Sequence, residues 1–143
     1  MLKNIPPILS PDLLHALRAM GHGDEIVIVD ANFPAESSGP PVIRLDGLLA
    51  TDVADAILTL MPLDTYVDEQ AFAMEVVGDP GKREQTHKDF DALVKKHEPT
   101  MHLSLIERFA FYERASQAFA IVQTGERRLY GNILLKKGII RPE

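Results

Sequence analysis

The 143-residue chain contains no cysteine. That absence excludes disulfides, zinc–thiolate and iron–sulfur centres and cysteine nucleophiles, and it suits a reducing cytoplasm. Tryptophan is also missing, which decides nothing by itself. No apolar run approaches the roughly 20 residues of a membrane span. The start, "MLKNIPPILSPDLL", lacks the unbroken apolar core of a signal peptide, because Pro6, Pro7 and Pro11 interrupt it. Basic residues are in the minority, 15 Lys and Arg against 21 Asp and Glu, and no basic stripe occurs, which argues against a nucleic-acid backbone as partner. The phosphate-binding fingerprints are missing too. No G-x-G-x-x-G is present, and "GDPGKR" lacks both the spacer between glycines and the Ser or Thr after its lysine.

What remains is the composition of a cytosolic globular protein, 45% hydrophobic and 25% charged, and its length suits one domain over residues 1–143. "SPDLLHALRAMG" predicts a helix capped by Ser10 and opened by Pro11, with Leu13, Leu14, Leu17 and Met20 on one face and Gly21 as a left-handed stop. "EIVIVD" is a short continuous apolar run, as a strand buried on both faces requires. "VIRLDG" predicts a second strand, "TDVADAILTLM" a helix capped by Thr51, and "AFAMEVV" a third strand. Residues 82–98 predict an exposed helix whose apolar stripe is only Phe90, Leu93 and Val94. "SLIE" offers a capping box in which Ser104 and Glu107 start a helix through "RFAFYERASQA". "FAIVQT" and "NILLKKG" complete the strands. This alternation predicts a three-layer α/β/α domain with a largely parallel or mixed sheet.

The polar loop "GHGD" stands before the "EIVIV" strand and Asp30 stands after it. The carboxyl ends of strands in open α/β sheets face the ligand crevice, which places Asp30 well. His22 lies at the opposite end, about 16 Å away along the extended chain. A solvated loop histidine and a turn or cap aspartate are the plain alternatives for the two. A metal site from His22, Asp24 and Asp30 is a weaker possibility, and none of the five histidines forms an i, i+4 pair. Arg108 falls at the first turn of its helix, where free N–H groups already favour oxygen-rich ligands and a guanidinium can fork onto vicinal hydroxyls. Its alternative is a pairing with Glu107 or Tyr112. "LYGNILL" sets Tyr130, Gly131 and Asn132 before a buried strand. Tyrosine and asparagine suit a sugar, although Gly and Asn also suit an ordinary turn.

"GHGDEIVIVDANFPA", "GPPVIRLDGLL", "RFAFYERASQAFAIVQTGE" and "YGNILLKKG", in this order and at these spacings, resemble the fucose mutarotase branch of the ribose pyranase and fucose mutarotase family. The likeness spans most of residues 1–60 and 104–138 and is weak over 64–103. It implies the ribose pyranase-like fold and an isomerase that interconverts the α and β anomers of L-fucose with no metal or cofactor. By motif, the catalytic histidine is His22. The substrate-binding residues are Asp30, Arg108, Tyr130, Gly131 and Asn132, with Tyr130 also taking part in the proton transfers. The resemblance further implies a homo-oligomeric ring, a decamer, with each site between neighbouring chains. D-ribose pyranase activity, or a non-catalytic sugar-binding or transport-accessory role, is the alternative.

Anomer inversion opens the pyranose to the aldehyde, rotates C1–C2 and recloses. One proton leaves the anomeric hydroxyl and another reaches the ring oxygen. A histidine, titrating ordinarily near about pH 6.5, can serve either transfer.

Overall fold

The computed structural model describes residues 1–143. Six strands form it: β1 (Glu25–Val29), β2 (Val42–Leu45), β3 (Ala71–Met74), β4 (Leu103–Ile106), β5 (Ala120–Thr124) and β6 (Ile133–Lys136). They lie side by side in the order β2-β5-β1-β6-β3-β4. Three pairings are parallel, β1 with β5, β2 with β5 and β3 with β4; β6 runs antiparallel to both of its neighbours. The sheet is therefore mixed.

Four helices cover it: α1 (Pro11–Ala19), α2 (Ala50–Leu60), α3 (Gln85–His97) and α4 (Arg108–Ser116). The period-two alternation of β1 sorts its side chains onto two cores. Ile26 and Ile28 pack with Leu13 and Leu17 of α1, Val53 and Ile57 of α2, and Phe90 and Val94 of α3. Val27 and Val29 pack with Phe111 and Ala115 of α4 and with Phe33 and Ala35 of the connection after β1. The three layers are thus unequal: three helices on one face, one helix and a loop on the other. All four core-facing residues of β1 are fully buried, as the continuous apolar run requires.

Several local expectations hold and several give way. Ser10 caps α1 by accepting the Leu13 N–H at 3.2 Å. The left-handed glycine after α1 is Gly23, at φ 88°, not Gly21, because the helix already stops at Met20 and the Gly21 N–H bonds the Asp24 carboxylate at 2.7 Å. Helix α2 begins two residues earlier than a Thr51 cap implies. Leu49 holds the cap position without a side-chain bond, and the Thr51 hydroxyl faces Arg128 instead. Helix α3 is less exposed than its composition implies. Phe90 and Val94 are wholly buried, each worth about 1.5–3 kcal/mol.

The largest difference is β4. Ser104 is not a cap; it sits within this edge strand opposite Phe72 of β3, its hydroxyl buried without a partner. Glu107 caps α4 instead, accepting the N–H groups of Phe109 and Ala110 at 2.8 and 3.1 Å. Four residues of long-range parallel pairing override the local capping signal.

Candidate active site

The mixed topology decides which residues meet. Because β6 runs against β1 and β3, its start lies beside the ends of both. The end of β1, the end of β3, the end of β4 and the start of β6 therefore share one edge of the molecule. Asp30 follows β1, residues 75–78 follow β3, Arg108 follows β4, and "YGN" leads into β6.

Asp30 is buried, and its carboxylate is held from several sides. Oδ1 accepts the Asn32 N–H at 3.0 Å. Oδ2 accepts the Gly131 N–H and the Asn132 amide, both at 3.2 Å. Asn132 closes the loop by accepting the Asp30 backbone N–H at 2.8 Å. Burial drives the Asp30 carboxyl above the usual carboxylate range, and these hydrogen bonds recover only part of the cost. Three of the expected sugar-binding residues, Asp30, Gly131 and Asn132, thus form one bonded unit.

Tyr130 is attached to that unit in a left-handed conformation, φ 57°, a rare state for a non-glycine residue. Its hydroxyl accepts the Val77 N–H at 3.0 Å, which leaves its own proton free to donate. Val77 also lines a cleft of about 140 Å³ shared with Glu75, Val76, Gly78, Pro80, Glu107 and Arg108. Arg108 reaches the same edge without bonding Asp30, its guanidinium 4.5 Å from the centre of the Phe109 ring. That stacking leaves the planar N–H edge available for vicinal hydroxyls.

His22 is elsewhere. It sits in the turn before β1, where Gly23 N–H bonds the carbonyl of Lys137 just past the end of β6. This is the opposite edge of the sheet from Asp30, as the sequence order suggests. The His22 Nε2 lies 2.8 Å from Oδ1 of Asp64, a carboxylate only 3% exposed. Burial would raise the Asp64 carboxyl, but the Tyr66 N–H, the His22 imidazole and the charge of Lys136 outweigh it and hold the carboxyl low. An ionised carboxylate only accepts, so Nε2 carries the hydrogen and Nδ1 is the nitrogen left to exchange a proton. Tyr66 leans on the imidazole at 5.2 Å between ring centres. The conceivable metal set does not converge, since the Asp24 carboxylate closes its own turn and Asp30 is at the far edge.

Sequence reasoning missed two residues of this arrangement. Asp64 falls in the segment of weak resemblance; its only local signal is an Asx turn, Oδ1 accepting the Tyr66 N–H two residues on at 3.0 Å. Glu126 is 1% exposed and lies against Gly131. Arg128 pins its carboxylate through Nε and Nη2, each at 3.0 Å, and holds it below the usual range.

The model of the RbsD / FucU transport protein family matches residues 3–140. The mouse protein named fucose mutarotase is 52% identical, with 97% of this chain and 95% of the mouse protein covered. The human protein of the same name is 48% identical over 97% of this chain and 94% of its own length. The crystal structure of the fucose mutarotase of Streptococcus pneumoniae in complex with L-fucose superposes with a TM-score of 0.90, at 45% identity, covering 98% of this chain and all of that one.

Proposed function

This chain belongs to the RbsD / FucU transport protein family, and from that membership we propose that it is an L-fucose mutarotase, an isomerase that interconverts the α and β anomers of L-fucopyranose. One observation carries the reading. A buried, multiply bonded carboxylate with adjacent tyrosine and asparagine lies at one edge of the sheet, and a carboxylate-steadied histidine lies at the other. Anomer inversion needs both halves, one to grip hydroxyls and one to move a proton.

In this proposal Asp30, Gly131 and Asn132 with Arg108 hold the spectator hydroxyls. His22, steadied by Asp64 and carrying a hydrogen on each ring nitrogen, gives its Nδ1 proton to the ring oxygen as the C1–O5 bond opens and is left neutral with its hydrogen on Nε2. Tyr130, whose oxygen receives the Val77 N–H, takes up the proton leaving the anomeric hydroxyl as it passes its own phenolic proton to water, while the C1–O1 bond becomes the aldehyde C=O. Reclosure on the other face of the aldehyde reverses both transfers. Each is a proton transfer to or from a sugar oxygen, for which no metal or cofactor is required. Positioned acid–base groups of this kind contribute about 10²- to 10⁴-fold.

The distance between the halves is closed by a second copy of the chain. A head-to-tail contact brings the His22 edge of one subunit to the Asp30 edge of the next, and such a contact closes into a ring when its rotation allows. Both edges present exposed apolar side chains that suit such a contact: Tyr66, Ile139 and Ile140 near His22, and Val77, Phe109 and Leu129 near Tyr130. We expect a decamer of single mutarotase domains, residues 1–143, working in the cytoplasm, in keeping with a cysteine-free chain.

Saturation-transfer NMR on the anomeric protons tests the reading. The protein should speed α/β exchange of L-fucose in the presence of a chelator, and L-fucose should exchange faster than D-ribose at equal concentration. A clear preference for ribose would move the chain to the ribose pyranase activity. Binding without exchange would make it a sugar-binding protein, and exchange that a chelator abolishes would require a metal.

A further inference from the structure

The first turn of α3 lies within residues 64–103, outside the motifs that carry the family resemblance, yet its side chains reach the sugar-binding edge. Thr86 is 1% exposed, and its hydroxyl donates to the carbonyl of Leu129 at 2.8 Å, with the Tyr130 carbonyl also within reach at 3.2 Å. The carbonyl of Tyr130 and the N–H of Gly131 belong to one planar peptide. That N–H bonds Oδ2 of Asp30. Thr86 therefore holds the peptide before Tyr130 by its shorter bond and reaches, by its longer contact, the peptide after it that bonds the Asp30 carboxylate.

His87 anchors the turn from which Thr86 projects. It is 1% exposed, its Nδ1 accepts the Glu84 N–H at 3.0 Å, and its Nε2–H donates to the Met74 carbonyl at 2.9 Å. The bond accepted at Nδ1 needs the neutral ring, and burial keeps His87 below the usual histidine range. Its ring also lies 5.9 Å from that of Tyr130. One turn further on, Asp89 takes Arg128 at 2.7 Å, and Arg128 in turn holds Glu126 against Gly131. Helix α3 grips the 126–131 segment at two successive turns.

We propose that the first turn of α3 is a positioning clamp on the sugar site, in which Thr86 fixes the two peptides that flank Tyr130, chiefly the one before it, and so holds Tyr130 in its left-handed conformation and aims the Gly131 N–H at Asp30. Thr86 is a positioning residue and touches no sugar. The clamp deepens the mutarotase reading and rests on it for its effect on rate. Without the hydroxyl, the peptides flanking Tyr130 lose their tether to α3, and the Asp30 carboxylate and the Tyr130 phenol are aimed less sharply.

The test pairs two variants with two readouts. Thr86→Val keeps the shape and removes the hydroxyl, while Thr86→Ser keeps the hydroxyl. Thr86→Val should slow L-fucose exchange about tenfold or more, since a misplacement of about 1 Å can cost 10²-fold. Thr86→Ser should stay within about twofold of the native rate. Hydrogen exchange read by mass spectrometry should rise in Thr86→Val across residues 129–132 and stay native in β1 and β5, which separates a local clamp from general loosening. Native exchange of both sugar and amides in Thr86→Val would overturn the clamp, as would an equal loss in Thr86→Ser or a rise in amide exchange spread over the whole chain. If the native protein failed to exchange L-fucose anomers, the mutarotase reading would fall. The amide comparison at 129–132 would then still decide the clamp.

Discussion

His22→Ala should slow α/β exchange of L-fucose by about two orders of magnitude or more, the share that a positioned acid–base group supplies. The fold should survive the change. His22 lies in a turn with 41% of its side chain exposed, and no core side chain rests on it. Its loss leaves the Asp64 carboxylate with the Tyr66 N–H still bound. Binding of the sugar should change less than the rate, because the residues proposed to hold its hydroxyls sit at the other edge of the sheet. A comparison of kcat with KM by saturation-transfer NMR, alongside a melting curve, measures all three. A variant with near-native exchange would remove His22 from the chemistry.

Gly131→Ala should be as damaging, for a steric reason. A Cβ there would lie 2.7 Å from Cγ of Glu126 and 3.2 Å from Cβ of Asp30. Neither neighbour yields readily. Arg128 pins Glu126, and Asp30 is tied to Asn32, Asn132 and Gly131 itself. Overpacking of this sort costs about 1–3 kcal/mol of stability. The functional loss should be larger, because the group pushed aside is the carboxylate proposed to grip the sugar, and displacing it by about 1 Å can cost 10²-fold. Exchange rate and melting temperature measured together should show activity nearly lost in a chain that still folds. Native activity would mean that Asp30 can move without consequence, which would sink its proposed role.

The sequence made some of this legible and hid the rest for physical reasons. β1 was readable because a strand buried on both faces must be continuously apolar, and α1 because its cap, its proline and its apolar face agree. Asp30 was readable from topology, since strand ends in an α/β sheet face the crevice. β4 was not. Its pairing partner, β3, is some thirty residues away, and the Ser104–Glu107 spacing satisfies a helix start equally well. Asp64 escaped because its bond to His22 spans 42 residues and only the fold brings them together. The grip of Thr86 on the Tyr130 peptide is hidden in the same way, 44 residues apart, within a helix that reads as charged and exposed. Arg108 was placed at the correct helix start, but the cap beside it is Glu107 rather than Ser104.

His22 and Asp30 lie at opposite edges of one sheet, so the proposed site needs two chains. Complementation tests this most directly. His22→Ala and Tyr130→Ala, each inactive alone, are unfolded together at equal amounts, refolded and assayed for L-fucose exchange as assembled oligomers. Random mixing in a shared site pairs a native His22 edge with a native Tyr130 edge in about one contact in four. The mixture should therefore regain about a quarter of the native rate. A mixed oligomer that regains nothing would show that each chain must supply both groups itself, and would contradict the shared site.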